Sequence, residues 1–272
     1  MNISNITIMN VMNDSTKTLY YITHSVDKLK TKYSVNSLKV IMTYVKNINI
    51  NIVMSRNADY NKYLYQLQSK YESVQNNIKC YEIENNKYID FGKYQWSARH
   101  YTMTNNNEFE NINKVYFMND SVIVTGDISS FFKYNSYQLY GFLDSYVYNY
   151  HYQSYAFGIS SECINIFISF IQKFVDKYAC VNKECLYTEV INELEMRMYS
   201  YFNDNKLSTD CYIKVPDGIG FIYGSKKKYK ALIKNGLYLV KYNVLSQHWK
   251  FTPPEFVNKQ LRNQKEIIQK LL

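Results

Sequence analysis

From Ile78 to Phe132 the apolar residues come in short runs rich in β-branched and aromatic side chains, whereas on either side they recur every three or four positions. That change of period calls for strands in the middle and helices around them, because a pattern of one period does not sit stably in the other element. The strand candidates are Ile78–Glu84, Tyr88–Phe91, Gln95–Thr104, Lys114–Met118 and Val122–Thr125, with Asn119-Asp120 suited to a tight turn between the last two. Together they read as an antiparallel meander over about 78–134. Strands at Cys211–Val215 and Ile219–Tyr223, flanking a Pro216-Asp217-Gly218 turn, extend it over 211–223.

Helices are expected elsewhere. Asp14 or Ser15 caps one through Lys32, with Leu19, Ile22, Val26 and Leu29 on one side, and an opening strand is expected at Ile3–Val11. Leu38–Val45 is short and apolar and fits either element. Tyr60, Leu64, Leu67, Tyr71 and Val74 make a stripe over Asp59–Val74. Further helices are expected at Tyr137–Tyr148, from Ser160 or Ser161 through Tyr178, over Lys183–Phe202, and after Pro253-Pro254 from Glu255 to Leu272. The expected fold class is α+β: a central antiparallel sheet with flanking amphipathic helices, in a single domain over 1–272. A basic C-terminal subdomain over 206–272 is the one boundary that charge suggests.

Composition narrows the class further. With 46% apolar and 17% aromatic residues in 272, the chain can build a real core and is neither collagen-like nor low-complexity. Its 30 Tyr and abundant Asn, Lys, Ile and Phe are the residues of A/T-rich codons, so the tyrosines reflect codon bias as readily as a binding surface. No stretch approaches the roughly 20 apolar residues that cross a bilayer. The N-terminus has neither a basic region nor a small-residue cleavage site, so it does not read as a secretion signal. Cys80, Cys163, Cys180, Cys185 and Cys211 are an odd set without paired spacing, which favours reduced thiols. A cytoplasmic location is expected, with no membrane partner, no cofactor and no metal: His24, His100, His151 and His248 lie at no metal-ligand spacing.

Charge is concentrated. Residues 1–205 carry 19 Lys/Arg against 19 Asp/Glu, and residues 206–272 carry 13 against 4, which is the whole net charge of +9. Within that stretch, three glycines in seven residues precede four lysines in five, from Gly218 to Lys230. Glycine lets backbone N–H groups approach phosphate oxygens and lysine supplies point charge, while Tyr223 and Tyr229 suit stacking on bases. The phosphate or nucleic-acid candidates are Lys226, Lys227, Lys228, Tyr229, Lys230 and Lys234. A hairpin whose edge is guarded by lysines against aggregation fits the same residues. The spacing is not that of a Walker loop.

A second candidate lies centrally. Gly126-Asp127 closes an apolar strand and can aim a carboxylate at a pocket, with Arg99 or His100 on a neighbouring strand as partner. Asp127, Arg99 and His100 are therefore the catalytic candidates for acid/base or phosphoester chemistry. Asp127 capping a strand-ending turn, paired with Arg99, is the structural alternative. The acidic trio Glu189, Glu193 and Glu195 reads as a solvated helix face rather than a ligand set.

Trp96 to His100, Val115-Tyr116-Phe117, Val122 to Asp127, Phe131-Phe132 and Tyr137 to Leu143 together resemble a family of phage-encoded proteins of undescribed activity. Those proteins share an arginine-bearing strand, an aromatic strand, a strand ending in Gly-Asp, an aromatic doublet and a helix. The likeness covers about 50 of the 272 residues and departs where Ile128-Ser129 replaces the usual glycine. It implies a viral accessory origin and supplies no chemistry.

The leading expectation is a viral or phage accessory protein, for host takeover or counter-defence. Its basic C-terminal surface would bind a polyanion: nucleic acid, a nucleotide or an acidic host protein. The alternatives are a phosphoester- or nucleotide-processing enzyme using Asp127 with Arg99 and His100, and a self-assembling viral structural protein.

Overall fold

A computed structural model describes residues 17–24, 28–55, 78–83, 87–104, 114–133, 135–146, 149–182, 186–215 and 236–242, with 259, 262–266 and 269 near the chain end. The elements, in order, are β1 (Lys17–Thr23), α1 (Lys28–Tyr44), β2 (Ile48–Met54), β3 (Ile78–Glu82) and α2 (Ile89–Thr104). Next come β4 (Val115–Asn119), β5 (Val122–Val124), β6 (Leu139–Ser145), β7 (His151–Tyr152), β8 (Ala156–Ile159) and α3 (Ile164–Lys177). Last are α4 (Tyr187–Val190), a π-helical turn (Ile191–Glu195), α5 (Met198–Asp204), β9 (Thr209–Ile213) and β10 (Leu239–Lys241).

The sheet is mixed, not an antiparallel meander. Its order is β3-β2-β1-β4-β8-β6-β7, with β9 on β6, and the pairs β1–β2, β2–β3, β1–β4 and β6–β9 are parallel. Parallel neighbours need crossover connections. Helix α1 supplies the one from β1 to β2, and α2 the one from β3 to β4. The expected Asn119-Asp120 hairpin does not pair its two strands, since β4 joins the main sheet and β5 pairs with β10 in a separate two-stranded sheet.

Strands alternate their side chains between two cores. Leu19 and Tyr21 of β1, Ile48, Ile50 and Ile52 of β2, and Tyr116 and Met118 of β4 face the core covered by α1 and β5. Tyr20, Ile22, Val53, Val115 and Phe117 face the other, covered by α2, α3 and α5. A sheet covered on both faces reads as near-continuous apolar sequence, and β1 is buried along six of its seven residues.

That burial explains the misassigned elements. Leu19 and Ile22, read as a helical stripe, lie on opposite faces of β1. Tyr137–Tyr148 holds not a helix but β6, buried at six of seven positions. Conversely, Tyr88–Phe91 and Gln95–Thr104 are not two strands but largely the single helix α2. Its buried Phe91, Tyr94, Ala98 and Tyr101 recur at helical spacing beneath an aromatic composition that suggests strand. The helix over Lys183–Phe202 is present but broken by the π turn. The expected elements at Ile3–Val11, Asp59–Val74 and Ile219–Tyr223 lie outside the described residues.

Candidate active site

The chain runs outward from β1 through β2 to β3 and then returns to place β4 on the other side of β1. Ligands of open α/β sheets bind outside the carboxyl ends of the strands at such a reversal. Strand β6 is antiparallel to β8, which is antiparallel to β4, so β6 and β9 also end at this edge.

The edge carries a connected polar cluster. Asp120, just past β4, accepts hydrogen bonds from Thr23 Oγ1 at 2.6 Å and the His24 N–H at 3.1 Å, and pairs with Lys30 Nζ at 2.9 Å. Asp90, in the first turn of α2, accepts from Asn119 Nδ2 at 2.8 Å and lies 3.0 Å from His24 Nε2. Beneath them, Lys93 is fully buried and its ammonium donates to Ser55 Oγ at 2.6 Å and Thr23 O at 3.2 Å.

A cavity of about 290 Å³ opens beside this cluster. Its polar lining includes Asp90, Asn119, Ser121, Ser154, Glu195 and Lys241. Lys30 and the aromatic rings of Tyr155, Tyr187 and Tyr242 also line it, Tyr187 being 63% exposed. Asn119 and Ser154 are buried.

Glu195 arrives there through the π turn, where the Met196 N–H donates to Ile191 O at 3.0 Å and widens the helix by one residue. Such turns concentrate at functional sites. The acidic trio therefore divides. Glu193 pairs with Lys177 Nζ at 2.7 Å on the outer surface, as a solvated face would, whereas Glu195 lines the cavity. Burial holds the Glu195 carboxyl above its ordinary pKa, against the pull of Lys241, His151 and a hydrogen bond with Ser154. Burial also pushes the Lys241 ammonium below its usual range, with Glu195 pulling back. Both groups thus move toward their neutral forms, which is what burial of charged groups does. A carboxyl with its pKa raised in this way holds a proton more readily than an exposed one.

The residues singled out in the sequence are elsewhere. Arg99 is exposed on α2 and donates to Gln172 Oε1 at 2.6 Å. His100 stacks on Trp96 and shares a 2.8 Å hydrogen bond with the Tyr20 hydroxyl. Asp127 is exposed and accepts from the Ser129 N–H at 2.8 Å, opening the turn that seats Phe131 in the α1-side core. Arg99 and His100 thus sit on the helix covering one face of the sheet and Asp127 on the side of the other. Lys226, Lys227, Lys228, Tyr229, Lys230 and Lys234 lie outside the described residues. Among the described residues, no three His, Cys, Asp or Glu side chains cluster as a metal site, and no helix is long and apolar enough to cross a membrane.

The solved structures most like this chain include the glycosyltransferase GlyE of Streptococcus pneumoniae TIGR4. The likeness has a TM-score of 0.59 at 11% identity and covers 91% of this chain and 60% of that one. Its apo form gives 0.57 at 12% identity, covering 92% and 60%. The chain thus shares an α/β fold with that protein. It corrects the α+β antiparallel expectation, and with it the reading as a phage accessory protein gripping nucleic acid. Among curated sequences, two Vibrio anguillarum proteins, both named virulence protein VirA, are 32% identical over 130 residues. That match covers 46% of this chain and 39% of theirs, so the chain spans well under half the length of the relatives it matches. No family profile matches the sequence.

Sequence reasoning missed Asp90, Asn119, Glu195 and Lys93. The available signals were Asn119-Asp120-Ser121 at the end of an apolar strand and Asp90 with Lys93 one turn apart. The second depends on seeing α2 as a helix.

Proposed function

We propose that this protein transfers a sugar from a nucleotide-sugar donor to a hydroxyl acceptor, with the sugar held in the cavity at the carboxyl ends of β1 and β4. The observation that carries this reading is the convergence of Asp90, Asn119, Ser121, Ser154 and Glu195 on one cavity at the reversal of a glycosyltransferase-type sheet.

The chemistry follows from the groups present. Side-chain carboxylates, amides and hydroxyls bind sugar hydroxyls by paired donation and acceptance, and aromatic rings cover the apolar faces of the sugar. At about 290 Å³ the cavity stands at the small end of ligand pockets and suits one sugar unit better than a whole nucleotide sugar. The nucleotide then lies outward along the sheet edge, where doubly wound folds hold nucleotides. In the transfer, the acceptor oxygen bonds to the anomeric carbon, the bond from that carbon to the phosphate oxygen breaks, and the acceptor's proton passes to Glu195. Lys30 and Lys241 place positive charge where negative charge grows on the leaving diphosphate.

Incubating the full chain with a panel of nucleoside-diphosphate sugars tests this directly. Release of nucleoside diphosphate, about a hundredfold or more slower in Glu195→Gln, is the expected result. A chain that neither binds nor consumes any of the panel overturns the reading.

A further inference from the structure

Lys93 touches the cavity nowhere, yet it sits at the root of the wall that does. It lies one helical turn after Asp90 on α2 and has no solvent exposure. A lysine ammonium carries three donors and no acceptor. Around this one are three acceptors: Ser55 Oγ at 2.6 Å, Thr23 O at 3.2 Å and His24 Nδ1 at 2.8 Å.

The third contact has a consequence for the imidazole. A neutral histidine holds one ring proton, and the nitrogen facing a donor-only group must offer its lone pair. The His24 proton is therefore on Nε2, which lies 3.0 Å from Asp90 Oδ1. The other Asp90 oxygen accepts from Asn119 Nδ2 at 2.8 Å, and Asn119 Oδ1 in turn accepts from the Ser121 N–H at 3.1 Å. Lys93 thus contacts His24 Nδ1, whose ring places Nε2 at ion-pair distance from Asp90, and donation runs from Ser121 through Asn119 to the same carboxylate.

We propose that Lys93 is a positioning residue: by occupying Nδ1 of His24 it fixes the ring proton on Nε2 and so orients the Asp90 carboxylate in the cavity wall. The functional consequence rests on the sugar-transfer reading, whereas the tautomer does not. A lysine serving only to tie the ends of β1 and β2 together would contribute to stability without setting the tautomer.

Nitrogen NMR of the isotopically labelled full chain separates the two roles. The protein has four histidines, and loss of one signal set in His24→Gln assigns the ring. Unmodified His24 is expected as the Nε2–H form, because Nδ1 faces the Lys93 ammonium. Lys93→Met removes the donor and should release the ring to the Nδ1–H form or to a mixture. Lys93→Gln, whose amide N–H still reaches toward Nδ1, should restore the Nε2–H form. Proton on Nδ1 in the unmodified protein overturns the proposal, and needs no variant to be folded. So does an unchanged Nε2–H form in Lys93→Met.

In turnover, Lys93→Met should lower kcat by about tenfold or more while moving KM for the donor little, the mark of misplaced catalytic geometry. Equal kcat in Lys93→Met and the unmodified protein, alongside a released tautomer, overturns the link to Asp90. Absence of turnover in the unmodified protein counts against the sugar-transfer reading alone, because the tautomer is read without substrate.

Discussion

Lys30 Nζ lies 2.9 Å from Asp120 Oδ1, and the Asp120 side chain is only 3% exposed. Its second oxygen takes the Thr23 hydroxyl and the His24 N–H. One carboxylate thus holds the end of β1, the end of β4 and the first turn of α1 at the edge where the cavity opens. All three of these groups are donors, so an amide in its place must turn its own N–H groups against one of them. Asp120→Asn is expected to cost about 2–4 kcal/mol in urea unfolding, and Lys30→Met, which leaves two donors in place, about 1 kcal/mol. The reverse order would mean that the ion pair, not the hydrogen-bond set, holds this junction.

Glu195 should show opposite effects on turnover and stability. Its folded pKa is raised by burial, so its stabilising contribution is complete below the unfolded value and is lost as pH rises through the folded one. Glu195→Gln should therefore flatten that fall, leaving the folded variant at least as stable as the unmodified protein at neutral pH. The same change should reduce transfer by about a hundredfold or more, the usual contribution of a general base, and erase the acidic limb of the kcat profile. Thermal melts and a pH–rate series check the pair.

Lys114 provides the matching case for a cation. Burial brings it to about 8 from 10.5, while its ammonium donates to Tyr137 O at 2.6 Å and bonds both oxygens of Asn135. Lys93 is lowered to about 8 by the same cause. Between those values the unfolded chain binds more protons than the folded one, so stability rises with pH. The rise in Tm from about pH 7.5 to about pH 9.5 should be reduced in Lys114→Met, although that variant is less stable throughout.

Gly141 of β6 has no room for a side chain. A Cβ there would lie 2.6 Å from Cγ of the Tyr152 ring, which is 1% exposed and hemmed in by Tyr150 and Tyr199. Gly141→Ala should cost about 1–3 kcal/mol by chemical denaturation, as overpacked cores do. A neutral result would show that Tyr152 can shift.

Part of the strand content was legible, because β3, β4, β5 and β9 coincide with short runs of β-branched and aromatic residues. Their directions were not. Parallel pairing is set by where α1 and α2 carry the chain, and α2 was hidden because Tyr94, Trp96 and Tyr101 favour strand by type while Phe91, Tyr94, Ala98 and Tyr101 repeat as helix. The strict Ile-Asn-Ile-Asn-Ile alternation of β2 was a strand signal left unread. At the site, Glu195 could not be told from Glu193, since only the extra residue of the π turn separates a cavity carboxyl from a surface one. Asp127 drew attention by following a glycine. In the folded chain Gly126 is needed because the Tyr238 ring lies 2.6 Å from where its Cβ would be, and Asp127 holds the turn.

The measurement that bears most directly on the sugar-transfer account is a crystal structure of the full chain grown with a nucleoside-diphosphate sugar that it consumes or binds. The account predicts a sugar ring between Asp90 and Glu195, with the nucleotide outward along the carboxyl ends of β1 and β2. A ligand seated elsewhere, with that cavity empty, would contradict it.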